Sequence, residues 1–166
     1  MRFFVNTSIV EFEDILYGKQ EFSVGDFIVK RADNEWAYQL AVVVDDIAMG
    51  ITEVVRGVDL LESTAAQILL YKALGAKIPK FMHLPLLNDK DGRMAKRKGS
   101  LTISELKNNG VRAERIVGLL AYSLGLIEQH RELDTEDVIG FFELREIGLE
   151  PYQITPQDLN WLFKSY

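Results

Sequence analysis

The sequence predicts an α/β protein followed by an all-helical segment, and three observations carry that prediction. Short β-rich runs between turn-formers fill the first thirty residues. From Ser63 the apolar spacing changes to the helical period. Beyond Ser100 to Thr102, helix start and stop signals recur, which divides the chain into an α/β piece, 1–100, and a helical piece, 101–166.

Taken in order, Phe3-Phe4-Val5, Ile9-Val10-Glu11-Phe12 and Phe27-Ile28-Val29 read as strands, punctuated by Asn6, Gly18 and Gly25. A turn at Asp33-Asn34 precedes Trp36 to Leu40. Ala41 to Met49 fits two descriptions: its three consecutive valines suit a buried strand, and Val42, Asp45, Asp46 and Met49 also fit helical spacing. Ile51 to Val55 is a strand by its β-branched content and runs directly into Arg56-Gly57. Ser63 is expected to cap a helix carrying Ala65, Ile68, Leu69 and Leu74 on one face, with Gly75 at its C-terminus. His83 to Leu87 is a short extended run before the polar loop 88–100. The remainder reads as helix, with starts at Thr102 (Glu105 at capping-box spacing), Arg112, Asp134-Thr135 and Thr155-Pro156.

Composition removes several chemistries. With no Cys in 166 residues there is no disulfide framework, thiolate zinc site, iron–sulfur cluster or cysteine nucleophile. The two histidines, His83 and His130, are too few to build a His-rich metal site unaided. The N-terminus does not read as a signal peptide, and no apolar run approaches the ~20 residues that span a bilayer. A cytoplasmic location without a membrane partner is the expectation.

The net charge of −6 conceals an inversion: Lys90, Arg93, Lys96, Arg97 and Lys98 against Asp91 give +4 within residues 90–99. A glycine-flanked cationic loop can wrap a polyphosphate, and it can equally be a solvated basic loop. Arg56, at a strand's end before Gly57, projects where α/β ligand sites form and can pair with a substrate carboxylate. The competing reading is a structural salt bridge to Asp59 or Asp46. Tyr38 offers a phenolic hydroxyl, or is an amphipathic core-edge residue. Asp45 and Asp46 point in different directions in either backbone, which disfavours a shared metal, and His83 reads as a satisfied structural histidine. There is no P-loop, dinucleotide fingerprint, nucleophile elbow, zinc-helix pair or EF-hand. An enzyme built on these residues works by positioning and electrostatics around phosphate.

The motifs also occur in a telling order: Ala37 to Asp46, Gly50 to Gly57, Gln67 to Tyr71, His83 to Leu86 and Arg93-Met94-Ala95-Lys96-Arg97. This order resembles that of the class I glutamyl-tRNA synthetases, strongly over 26–126. Within that family, Arg56 to Thr64 and Gly118 to Leu126 are most similar to the glutamyl-queuosine tRNA(Asp) branch. The resemblance implies the C-terminal half of a Rossmann-like catalytic fold in 1–100 and an α-helical stem-contact subdomain in 101–166. It implies ATP-dependent activation of glutamate and transfer to tRNA, with Mg2+ expected beside ATP. Tyr38 and Arg56 fall on its glutamate-binding positions. Arg93, Met94, Ala95, Lys96 and Arg97 fall on its ATP-binding KMSKS signature, with Lys96 as the catalytic lysine on the phosphates. Arg93 stands for that signature's first lysine, and Ala95 and Arg97 for its serines. Nothing matches the HIGH motif, and the family's zinc site is expected to precede Met1. The implied partners are glutamate, ATP and tRNA, with a separate N-terminal half as a further one. The alternative from a different class is a non-catalytic tRNA- or protein-binding module derived from a synthetase.

Overall fold

The computed structural model describes residues 1–89, 102–144 and 147–164 with side chains and 92–93 as backbone. The chain divides into two compact units, Met1–Leu84 and Pro85–Tyr166.

In the first unit, β1 (Arg2–Phe3) pairs antiparallel with β4 (Phe27–Ile28). Between them lies a hairpin of β2 (Ser8–Asp14) and β3 (Gly18–Val24), in register from Ser8↔Val24 to Asp14↔Gly18. Its turn needs a left-handed residue, and Gly18 supplies it at φ 67°. The region with two possible readings is helix α1, Tyr38–Met49. Val43 is fully buried while Val44 is 46% exposed, so the valines wrap around a helix. Gly50, left-handed at φ 67°, ends it with its N–H on the Asp46 and Ile47 carbonyls. Next come β5 (Glu53–Gly57), α2 (Leu61–Ala73) and β6 (Lys80–Leu84), a βαβ crossover with β5 and β6 parallel. Helix α2 begins two residues before Ser63 and has no side-chain cap, because a 3-10 turn over Val58–Leu60 leads straight into it. The sheet order is β3-β2-β6-β5. Val10, Val43, Ala65, Ile68, Leu70, Tyr71 and Phe81 form the core where α1 and α2 cover this sheet. Each large side chain so buried contributes about 1.5–3 kcal/mol.

The second unit contains β7 (Leu87–Asp89), β8 (Gly92–Arg93), α3 (Ile103–Asn108), α4 (Ala113–Ser123), α5 (Thr135–Phe141), β9 (Tyr152–Gln153) and α6 (Pro156–Phe163). The expectation of helix throughout misses β9, which joins β7 in parallel at Leu87↔Tyr152. A two-residue strand carries no periodicity, so only the partner strand defines it. The helix starts follow from local chemistry: Thr102/Glu105, Asp134/Asp137 and Thr155/Asp158 each close a reciprocal capping box. Leu106, Val111, Leu119 and Leu162 form the core. Asp158, 1% exposed, also takes hydrogen bonds from Tyr152 and His130. Burial disfavours its charge, yet the bonds from Thr155, Tyr152 and His130 outweigh that and hold its pKa below the ordinary carboxylate value. Among the described residues no helix is long and apolar enough to cross a membrane.

Two helical glycines give opposite predictions. A Cβ on Gly118 would lie 1.9 Å from the Arg131 carbonyl oxygen, a backbone atom that cannot step aside. Gly118→Ala is therefore expected to cost about 3 kcal/mol or more. Gly140 in α5 has nothing within 4 Å of an added Cβ. Gly140→Ala is expected to stabilise by about 0.5–1 kcal/mol. Denaturant melts followed by circular dichroism measure both.

Candidate active site

Three parallel-paired strands bring three polar side chains into one line. Asp14 ends β2 opposite Phe81 of β6, and Arg56 of β5 is opposite His83 of β6. Phe81 and His83 are two residues apart and so share a face of the sheet. The result is a chain of contacts beneath α2. His83 Nδ1 is 2.6 Å from Asp14 Oδ2, with both side chains fully buried. Arg56 Nε donates to His83 Nε2 at 3.0 Å. Arg56 Nη2 donates to Thr64 Oγ1 at 2.8 Å and reaches the Leu60 carbonyl at 3.5 Å. Thr64, itself fully buried, lies 3.2 Å from His83 Nε2 and from the Leu60 carbonyl.

The donors decide the protonation pattern. Asp14 Oδ1 accepts from the Leu16 and Tyr17 N–H groups, and Oδ2 accepts from the His83 backbone N–H. Asp14 is thus surrounded by donors, so His83 Nδ1 carries a proton toward it. Nε2 must then present its lone pair to the Arg56 N–H, which makes the imidazole neutral. Burial pushes the His83 pKa down and outweighs the opposing pull of Asp14, in agreement with that assignment.

Arg56 is half-buried, and burial lowers its pKa while Tyr38, Asp46, Tyr71 and Asp59 raise it. A guanidinium remains charged under these conditions. None of its hydrogen-bond partners among the described residues is a carboxylate. The salt bridge to Asp59 or Asp46 is therefore not what holds it. Asp46 instead accepts from the Tyr71 hydroxyl at 2.8 Å. Burial, then this bond, drives the Tyr71 pKa up. Among the described residues Nη1 of Arg56 has no hydrogen-bond partner.

Of the residues singled out in the sequence, Tyr38 and Arg56 come into electrostatic range of one another. Tyr38 opens α1 and is 57% exposed. His83 is a satisfied buried histidine. It is also the direct partner of Arg56, which its sequence context does not reveal. Asp45 is exposed on α1 and Asp46 is engaged by Tyr71, so the pair does not converge on a metal. Met94, Ala95, Lys96 and Arg97 lie outside the described residues, and Arg93 is described only by its backbone in β8. Asp14 and Thr64 were missed altogether. The one available signal for Asp14 was a carboxylate ending an alternating strand just before Gly18, which suggests an Asx turn and nothing more. Among the described residues no three His, Asp or Glu side chains gather to hold a metal. A Mg2+ arriving with ATP would take most of its ligands from phosphate and water.

The model of the class I tRNA synthetases (E and Q), catalytic domain, matches residues 1–161. This chain belongs to that family. The Glutamyl-Q tRNA(Asp) synthetase of Symbiobacterium thermophilum is 46% identical over 163 residues, covering 96% of this chain and 50% of the relative. The Glutamate--tRNA ligase 2 of Ehrlichia ruminantium (strain Gardel) is 38% identical, covering 95% of this chain and 34% of the relative. The crystal structure of the glutamate-tRNA synthetase from Elizabethkingia anophelis superposes with a TM-score of 0.69 at 22% identity, over 94% of this chain and 36% of that one. That last likeness establishes the mixed α/β fold. The chain spans about half the length of the glutamyl-Q relatives it matches, 50% and 48%.

The imidazole assignment has a direct check. At about neutral pH, nitrogen NMR should show His83 as the neutral Nδ1–H tautomer. Its folded pKa lies below the ordinary 6.5, so the unfolded chain binds more protons in the intervening window. The stability this residue contributes is complete above the unfolded pKa and is lost as the pH falls through that window. Between about pH 7 and pH 5, stability is expected to fall less steeply for His83→Gln than for the parent.

Proposed function

We propose that this chain is the glutamate-binding and phosphate-handling part of a glutamyl-queuosine-type ligase, which activates glutamate with ATP and passes it to tRNA. The observation that carries this reading is Arg56: a charged guanidinium held by neutral acceptors through Nε and Nη2, with Tyr38 in electrostatic range. Such a group favours a carboxylate ligand, since its own charge is not cancelled by a hydrogen-bonded acid. The 46% identity to two glutamyl-Q tRNA(Asp) synthetases supports the queuosine branch over ordinary glutamate ligases.

In this reading Arg56 and Tyr38 hold glutamate. One oxygen of its reacting carboxylate attacks the α-phosphorus of ATP, the bond to pyrophosphate breaks, and a glutamyl adenylate forms. Negative charge spreads over the phosphates during that exchange, and Lys96 with Arg93 and Arg97 meets it. Met94 and Ala95 complete the ATP-binding signature in this reading. A tRNA hydroxyl then displaces AMP. Because the chain covers half of its glutamyl-Q relative, the 166 residues are proposed to need the other half, where the family resemblance puts the HIGH motif, for adenylation.

Glutamate-dependent exchange of pyrophosphate into ATP tests this. The chain alone is expected to be silent, and activity is expected when it is combined with the N-terminal half of a glutamyl-Q relative. In that combination Lys96→Ala should lower the rate about 100-fold. Arg56→Ala should weaken glutamate binding by about 30-fold or more. Exchange by the chain alone would overturn the half-enzyme proposal, and salt-dependent tRNA binding with no exchange in any combination would favour the binding-module reading.

A further inference from the structure

We propose that Asp14 is a positioning residue: it fixes the tautomer of His83 that gives Arg56 its acceptor, and so holds the guanidinium with Nη1 turned to the substrate carboxylate. This rests on the reading of Arg56 as the glutamate anchor. It goes further by assigning the anchor's geometry to a residue two strands away.

The geometry allows one consistent pattern. Imidazole must offer an N–H on one side and a lone pair on the other. Arg56 Nε has only a donor to offer at 3.0 Å, so Nε2 must accept and the proton must stay on Nδ1. Asp14 Oδ2, 2.6 Å from Nδ1, is the acceptor that keeps it there. Asp14 is itself held on both oxygens. Its Oδ1 takes the Leu16 and Tyr17 N–H groups at 3.1 and 3.0 Å, and Oδ2 takes the His83 N–H at 3.2 Å. Thr64 completes the clamp on Nη2 at 2.8 Å. Two of the three guanidinium nitrogens are therefore fixed, which orients the third. A long side chain held this way meets its ligand without losing its rotamer freedom at that moment.

Asp14→Asn separates positioning from mere packing. The amide is the same size, and its oxygen is claimed by the Leu16 and Tyr17 N–H groups at the Oδ1 position. The NH2 then faces Nδ1 and donates to it, so the proton moves to Nε2 and meets the Arg56 N–H donor to donor, while the His83 backbone N–H gives up the Oδ2 position and keeps the oxygen at the Oδ1 position, 3.4 Å away, in either background. Arg56 is released. His83→Gln behaves differently, because a glutamine side chain can turn its carbonyl to Arg56 whatever stands at position 14.

The experiment uses the 166-residue chain. Arg56 Nε–H is observed by nitrogen NMR, and L-glutamate binding is measured by titration. The parent is expected to show a slowly exchanging Arg56 Nε–H coupled through the hydrogen bond to His83 Nε2, and saturable glutamate binding. Asp14→Asn should abolish that coupling and weaken glutamate about tenfold or more, while the fold, read by its amide spectrum, persists. In the His83→Gln background, Asp14→Asn should change the affinity by less than about twofold, since its effect passes through the imidazole. Equal losses from Asp14→Asn in both backgrounds, or a retained Nε–H coupling with unchanged affinity, would overturn the positioning role. If the coupling vanishes in Asp14→Asn but the parent does not bind glutamate, or binds it as well after Arg56→Ala, the glutamate reading falls and the clamp on Arg56 stands.

Discussion

The buried pair of Asp14 and His83 is the constraint on which the first unit depends. A carboxylate with no exposure is tolerated only when its lone pairs are fully used. Here the donors come from two sources: the hairpin turn after β2 and the backbone and ring of a residue on β6. That shared requirement ties the end of an antiparallel hairpin to a parallel strand about seventy residues on, where the two strands share only the Asp14↔Phe81 pairing. The polar contact supplies the sheet continuity that the short ladder does not.

The same constraint governs the electrostatics of Arg56. Had its partner been Asp46 or Asp59, the guanidinium would have been neutralised by a neighbour. Instead its acceptors are an imidazole nitrogen, a hydroxyl and a backbone carbonyl, all neutral. The negative charge of Asp14 lies one imidazole further away, and Asp46 is occupied by Tyr71. Position is fixed while charge is conserved, which is what a carboxylate-binding cation needs. The second unit uses an analogous economy for structure alone: buried Asp158 caps α6 and also gathers Tyr152 and His130.

Legibility in the sequence followed the range of the interaction. Capping boxes were readable because Thr102 and Glu105 are three residues apart and satisfy each other locally. The left-handed ends at Gly50 and Gly75 were readable for the same reason. Ala41 to Met49 was not, since its three valines satisfy either periodicity until α2 arrives to bury Val43. Ser63 misled because Thr64, one residue on, is the polar side chain that is used, and it faces Arg56 rather than a helix terminus. Tyr38 and Arg56 were identified as a pair by resemblance to a family. Their spacing of eighteen residues says nothing of proximity.

By itself, the sequence determined the three capping boxes, the glycine ends at Gly50 and Gly75, the exclusion of thiol chemistry and the family, because each is written in short windows or in motif order. Tertiary structure alone decided that Asp14, His83, Thr64 and Arg56 form one hydrogen-bonded line, and which tautomer the imidazole adopts. The reason is physical. Register between strands far apart in the chain is set by the burial of a whole sheet, and the proton on His83 follows only from what that register places on either side of it.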